Sequence, residues 1–179
     1  MSDTLRILVV EDNPADADLI RELLPESGPV IFQTECVSRL AAALDRLETP
    51  GIDLILLDLG LPDSQGLVTF QHVRRENAQI PVIVLSGMED DELALAAVRE
   101  GAQDYLSKRL LSAYLLSRAV RYAVERKQAE LQIQIQLDEL RQWQGVMLGR
   151  EERNIQLKRE VNELLVRLGE PIRYPSQEP

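Results

Sequence analysis

Five side chains able to bind a metal ion and a phosphoryl group each follow a short apolar run: Glu11, Asp12, Asp58, Ser86 and Lys108. Carboxylate oxygens are the ligands that a hard cation such as Mg²⁺ prefers. Three carboxylates gathered without a cation would repel one another, whereas Mg²⁺ would remove that conflict and could bridge a phosphoryl oxygen. A hydroxyl and an ammonium group can hold the remaining phosphoryl oxygens as donors. The set indicates phosphoryl chemistry at a magnesium site, provided that the fold brings its members together.

Apolar runs and amphipathic stretches alternate over the first 110 residues, which predicts alternating strands and helices. The predicted strands are Leu5–Val10, Val30–Cys36, Asp53–Leu57, Pro81–Leu85 and Asp104–Leu106. The predicted helices are Pro14–Leu24 with Asn13 as N-cap, Ser38–Leu47, Gly66–Arg75, Asp90–Glu100 closed by Gly101, and one from about Leu110. Strands that are apolar on both faces and separated by helices form parallel βαβ units. We therefore expect an α/β fold with a five-stranded, doubly wound parallel sheet, whose ligands bind beyond the carboxyl ends of the strands.

The charge distribution argues against nucleic acid as a partner. The net charge of the chain is −10; residues 1–110 hold 20 acidic and 9 basic side chains, and residues 111–179 hold 10 acidic and 11 basic ones. An acidic first part repels phosphate backbones, and the second part has no basic block. The apolar runs are far shorter than the roughly 18 residues that a membrane span needs, and no signal segment is evident. We expect a soluble, cytoplasmic protein.

The single cysteine and the single histidine narrow the possible chemistry. Cys36 cannot form an internal disulfide, and we expect it to be a buried strand thiol. One Cys and one His are too few for a Cys/His zinc site. His72 lies within a predicted helix away from any strand end, so we expect a surface residue.

Four short motifs, each at the end of a predicted strand and in the right order, resemble those of response-regulator receiver domains. They are EDN at 11–13, DLGLPDSQG at 58–66, LSG at 85–87 and DYLSK at 104–108. The resemblance covers about residues 4–122 and implies the flavodoxin-like strand order 2-1-3-4-5. It also implies that the chain is a two-component signalling protein that receives a phosphoryl group from a histidine kinase or a histidine phosphotransfer protein.

The same resemblance assigns a role to each site residue. Asp58 is the phosphoacceptor, and the Mg²⁺ ligands are Glu11, Asp12, Asp58 and the backbone carbonyl of Gly60. Ser86 and Lys108 stabilise the phosphoryl group, and Ser86 and Tyr105 correspond to the family's switch pair. One position departs from the pattern, since Lys108 is followed by Arg109 where the family commonly has a proline after a cis peptide. The Lys108–Arg109 peptide is then either trans or strained.

Two other functions are weighed against the receiver. A Mg²⁺-dependent phosphohydrolase could use Asp58 as nucleophile through an aspartyl-phosphate, but such an enzyme is expected to carry that residue after its first strand and to have substrate-enclosing insertions. A pure scaffold with a degenerate receiver is disfavoured by the intact Asp58 and Lys108. We therefore expect no enzyme beyond the receiver's own phosphorylation and dephosphorylation.

The chain from about Leu110 to Leu168 lacks proline and carries a heptad pattern that predicts a long C-terminal helix. The seam comprises Leu140, Trp143, Met147, Arg150, Asn154, Leu157, Val161, Leu164 and Leu168. The segment from Gly149 to Leu165 resembles linkers between sensory and output modules of two-component proteins. The alternative to a coiled coil is a solvated, mobile helix, which would leave the seam facing water. A polar Asn154 within the seam favours a parallel homodimer, in which it meets its own copy.

These patterns divide the chain into a receiver domain (1–122), a helical coiled-coil extension (123–170) and a flexible tail (171–179). No DNA-binding or enzymatic output domain is recognisable after the receiver, so we expect output through contact with a protein partner.

Overall fold

The computed structural model describes residues 3–24, 30–87 and 91–174. The strands are β1 (Asp3–Val10), β2 (Val30–Val37), β3 (Leu54–Asp58), β4 (Gly60–Leu61), β5 (Ser64–Gln65), β6 (Val82–Ser86) and β7 (Asp104–Ser107). The helices are α1 (Pro14–Leu23), α2 (Leu40–Leu47), α3 (Leu67–Glu76), α4 (Asp91–Arg99) and α5 (Ala113–Arg167), with a short 3₁₀ turn at Lys108–Leu110. Five strands form a parallel sheet in the order β2-β1-β3-β6-β7, and β4 and β5 form a separate pair. Because β6 and β7 are the fourth and fifth strands of the parallel sheet along the chain, this order is the expected 2-1-3-4-5. It confirms the predicted α/β fold and strand order.

The sheet is buried on both faces because its strands are apolar at successive positions. Side chains alternate between faces along a strand, so Ile7 and Val9 pack on one side while Leu8 and Val10 pack on the other. The first side packs against α1 and α5, and the second against α2, α3 and α4. Every residue of β3 and of β6 is buried. Two layers of helices thus cover the central strands, and the carboxyl ends of those strands carry the candidate site.

Local capping explains where several helices begin and end. Asn13 accepts a hydrogen bond from the Ala15 N–H at 3.0 Å, with Pro14 as the first helical residue, as predicted. Gly101 follows α4 with a φ of +102°, a conformation that glycine adopts without strain. The last helix begins at Ala113 rather than about Leu110, because Ser112 accepts from the Leu115 N–H at its start.

Helix α2 begins two residues later than predicted, at Leu40 instead of Ser38. Its start is set from a distant loop: the carboxylate of Asp63 accepts from the Leu40 N–H at 2.9 Å and from the Ala41 N–H at 3.0 Å. Asp63 lies in the turn between β4 and β5, a short antiparallel pair that the sequence pattern did not predict. The loop that follows β3 is therefore hydrogen-bonded to the start of α2.

The chain forms two compact units, residues 1–131 and 132–179, and α5 contributes residues to both. Within the described part of the second unit, the helix passes through Gly145 and Gly149 without interruption and ends before Gly169. Asn162 then accepts hydrogen bonds from the backbone N–H groups of Arg173 and Tyr174, each at 3.1 Å. Among the described residues no helix combines the length and the apolar character of a membrane span.

Candidate functional site

The carboxyl edge of the sheet gathers the side chains that the sequence pattern singled out. Glu11 and Asp12 follow β1, Asp58 and Ser86 are the last residues of β3 and β6, and Lys108 follows β7. The parallel register places these strand ends side by side, with Asp58 opposite Leu85 and Ser86 opposite Ser107. Glu11, Asp58 and Ser86 are buried, while Asp12 is exposed. The predicted convergence at one edge is present in the structure.

The three carboxylates form a cluster suited to a divalent cation. One oxygen atom each from Glu11, Asp12 and Asp58 lies within 4.8 Å of the others. Oxygen donors at such separations can share a single Mg²⁺ or Ca²⁺ ion, and they suit Mg²⁺ with remaining positions filled by water or phosphate. Gly60 lies beside this cluster, since a Cβ atom placed on it would come within 3.6 Å of Asp58 Oδ2. The donor set therefore fits a magnesium ion.

Lys108 lies at the centre of the acidic cluster and contacts three carboxylates. Its Nζ is 2.5 Å from Glu11 Oε2, 3.1 Å from Asp58 Oδ2 and 3.1 Å from Asp16 Oδ2. The lysine side chain is only 12% exposed, so its charge is largely removed from water and depends on these partners. The ammonium group contacts Glu11 and Asp58, which also belong to the carboxylate cluster suited to a cation. The lysine and a bound cation would therefore draw on the same two side chains.

The pKa values of Glu11 and Lys108 are both shifted by burial and by the neighbouring charges. Burial raises the pKa of Glu11 above its ordinary value; the hydrogen bond from Lys108 opposes that effect, and the charge of Asp58 adds to it. Burial by itself would lower the pKa of Lys108, but the hydrogen bond to Glu11 and the charge of Asp58 raise it overall. Burial is thus the main cause of the raised pKa of Glu11, whereas the neighbouring carboxylates raise the pKa of Lys108. An added cation would neutralise part of the negative charge of these carboxylates.

The loop after β7 differs from the family's common Lys-Pro pattern without strain at the peptide bond. The Lys108–Arg109 peptide is trans, and Lys108 to Leu110 form the 3₁₀ turn. Tyr105 is half-buried on β7, paired in register with Val84 of β6. Its role as a switch partner of Ser86 stays a prediction.

Two acidic residues with specific contacts, one at the site and one at the start of α2, were not identified from the sequence. Asp16 lies in the first turn of α1 and contacts Lys108, and Asp63 caps α2. Helical spacing offered no signal for Asp16, because Asp12 lies before the N-cap Asn13 and therefore outside α1. For Asp63 the sequence offered only a turn pattern, since its partners lie more than 20 residues away.

The remaining sequence expectations concern which side chains are exposed. His72 is exposed, as predicted. Cys36 is an exposed free thiol, so the prediction of a buried thiol was wrong. The reason is that β2 is an edge strand, on which Cys36 lies against Arg21 Nη2 at 3.3 Å rather than within the core. Described seam residues of the second unit are exposed, among them Trp143, Met147, Leu157, Leu164 and Leu168.

Comparison with known proteins agrees with this geometry. The chain is similar to the KDP operon transcriptional regulatory protein KdpE of Escherichia coli (40% identity over 102 residues, 57% of this chain and 44% of that protein). It is also similar to part of the sensor histidine kinase TmoS of Ectopseudomonas mendocina (36% identity, 60% of this chain and 11% of that protein). The chain therefore spans less than half the length of these curated relatives.

Solved structures of receiver domains share the fold. A response regulator receiver domain protein from Clostridium thermocellum superimposes with a TM-score of 0.62 and 28% identity, covering 70% of this chain and 98% of that one. Residues 7–120 match the family described as the response regulator receiver domain, which is more than half of the chain. The chain therefore belongs to the response regulator receiver domain family of two-component signalling.

Proposed function

We propose that this receiver accepts a phosphoryl group on Asp58 from the phosphohistidine of a histidine kinase or a histidine phosphotransfer protein. The observation that carries the proposal is the contact between Lys108 Nζ and Asp58 Oδ2 at 3.1 Å, next to the carboxylates of Glu11 and Asp12. A buried carboxylate flanked by an ammonium group and a cation site is suited to receive a phosphoryl group rather than only to stabilise the fold.

The transfer follows from the positions of these groups. A carboxylate oxygen of Asp58 forms a bond to phosphorus while the phosphorus–nitrogen bond of the donor breaks, and the bonding electrons leave with the imidazole. Lys108 and the hydroxyl of Ser86 donate hydrogen bonds to the phosphoryl oxygens. Glu11, Asp12, Asp58 and the carbonyl of Gly60 would hold Mg²⁺, which when bound neutralises charge on those oxygens. The protein turns over no separate substrate in this proposal.

The test is an intact-mass measurement of the full chain with acetyl phosphate and Mg²⁺. We expect one phosphoryl group on the wild-type protein and none on Asp58→Asn. Asp45→Asn makes the same chemical change at an exposed position of α2 and should leave phosphate uptake unchanged. Uptake by Asp58→Asn equal to that of wild type would overturn the assignment.

We further propose that phosphorylation is relayed from Ser86 and Tyr105 to α5. Arg126 of α5 donates to the side chain of Gln103 at 2.7 Å and also to its backbone carbonyl, immediately before β7. A rearrangement of β7 around Tyr105 would therefore be transmitted to α5 through these hydrogen bonds. In this proposal output passes through α5 to a protein partner, and DNA contact is not expected from residues 111–179, whose basic and acidic side chains nearly balance.

We propose that the receiver comprises residues 1–122, followed by a coiled-coil extension (123–170) and a tail (171–179), and that the extension pairs two chains in parallel. The exposed seam supports pairing, because isolated helices gain little stability in water without an apolar partner. Asn154→Cys in a Cys36→Ser background tests the orientation. A parallel coil places the two introduced thiols together and should form a disulfide, whereas an antiparallel pair should not.

A free exposed thiol at Cys36 supports the reducing cytoplasm as the location.

A further inference from the structure

Asp16 is a fourth carboxylate at the site, outside the cluster of Glu11, Asp12 and Asp58. Its Oδ2 lies 3.1 Å from Lys108 Nζ, and its side chain is 34% exposed. We propose that Asp16 is a positioning residue that accepts the Lys108 ammonium group when Mg²⁺ takes the oxygens of Glu11, and that it thereby strengthens Mg²⁺ binding. The inference deepens the proposed function, because it concerns the magnesium site of the same phosphoacceptor.

The need for such an acceptor follows from the shared ligands. Lys108 Nζ lies 2.5 Å from Glu11 Oε2, the shortest of its three carboxylate contacts, and Glu11 is one of the proposed ligands of the cation. A buried ammonium group that loses its partner keeps the cost of desolvation without compensation. With Asp16 in place, Lys108 would keep its charged hydrogen bond to Asp16 even if the Glu11 carboxylate served the cation. Without Asp16, the lysine must compete with Mg²⁺ for the oxygens of Glu11 and Asp58.

The start of α1 leaves Asp16 available for this role. Asn13 accepts from the Ala15 N–H, and Glu11 Oε1 accepts from the Asn13 N–H at 3.2 Å, so these two side chains satisfy backbone donors of the first turn. Asp16 carries a carboxylate in that same turn, where the positive end of the helix dipole favours a negative charge. The helix is held by its buried residues Ala17 and Ile20. Asp16 is thus anchored next to Lys108.

The experiment measures Mg²⁺ affinity of the full chain by calorimetry in a two-by-two set: wild type, Asp16→Asn, Lys108→Ala and the double variant. We expect Asp16→Asn to weaken Mg²⁺ binding by about threefold to tenfold, since the contact is a partly exposed, charge-assisted hydrogen bond. In the Lys108→Ala background the same substitution should have little effect, because the lysine that it positions is gone. Asp18→Asn removes a charge from the same helix at a side chain paired with Arg21, and it should leave Mg²⁺ affinity near that of wild type.

Two results would overturn the inference. One is an unchanged Mg²⁺ affinity in Asp16→Asn, with thermal unfolding confirming that the variant is folded. The other is an equal loss in both backgrounds, which would mean that Asp16 acts only through its negative charge on the cation. Phosphate uptake is scored separately: Asp58 could fail to accept a phosphoryl group while the coupling of Asp16 to Lys108 persists, and that outcome contradicts the proposed function alone.

Discussion

Asp58 ends β3 and Lys108 follows β7, two strands away in the sheet, yet their charged atoms lie 3.1 Å apart and both side chains are only 12% exposed. The contact neutralises part of the acidic cluster before any cation binds. The lysine is therefore a structural counter-ion in the metal-free protein as well as a candidate phosphoryl ligand, and this dual role has measurable consequences.

Lys108→Ala should destabilise the metal-free protein, because the carboxylates of Glu11 and Asp58 remain close together without their cation. We expect a loss of about 2 kcal/mol in the free energy of unfolding, below the range for a fully buried pair since the site is partly open. Excess Mg²⁺ should reduce the loss by binding only the folded state. Urea unfolding with and without Mg²⁺ measures both effects, with Arg109→Ala, an exposed neighbour, as control. A deficit that Mg²⁺ does not reduce would contradict this interpretation.

Asp12→Ala should weaken Mg²⁺ binding and slow phosphorylation by acetyl phosphate, because it removes a charged oxygen ligand from a cluster of three. We expect a loss of affinity on the order of tenfold or more, since even residues behind a metal ligand commonly contribute that much. Calorimetric Mg²⁺ titration is the direct measurement. Asp53→Asn is an acidic control just before β3, away from the cluster. Equal affinity in Asp12→Ala and wild type would count against the magnesium site.

Asp63 should contribute stability that depends on pH. Its hydrogen bonds from the Ala41 and Leu40 N–H groups lower the pKa of this carboxyl below its ordinary value of 3.8. A lowered pKa means that the stabilisation is fully present above the unfolded-state value and is lost as the pH falls through the folded-state value. Asp63→Ala should therefore melt a few degrees below wild type at neutral pH, with the gap narrowing in acid. Thermal unfolding at several pH values tests this, and a gap that is constant with pH would exclude the carboxylate as its cause.

The dimer proposed for the extension should depend on its seam. Leu157→Lys with Leu164→Lys should convert a dimer of about 40 kDa into a monomer near the chain mass of 20.2 kDa, since two charges would enter an apolar interface. Gln142→Lys with Gln156→Lys adds the same charge at heptad positions away from the seam and should leave the dimer intact. Light scattering distinguishes the dimer from the monomer. A monomeric wild-type protein would contradict the coiled coil and favour a solvated, mobile helix.

Much of the site could be predicted from the sequence because it depends on local pattern. Apolar runs with intervening helices require a parallel sheet, and such a sheet brings the residues after its strands to one edge. That pattern is sufficient to locate Glu11, Asp58 and Lys108 at a common edge. The N-cap at Asn13 and the glycine after α4 were equally local, since a cap depends on a few neighbouring residues.

Contacts between distant segments depended on the tertiary structure. The sequence predicted that acids and a lysine meet, but only the packing of α1 against the sheet brings Asp16 to Lys108. Only the folded β3–α3 loop carries Asp63 to the start of α2. Burial at a sheet edge was likewise undetermined, so Cys36 was wrongly placed in the core. The physical reason is common to all three: periodicity determines which face of an element is apolar, whereas the partner of a polar side chain is determined by how the elements pack in space.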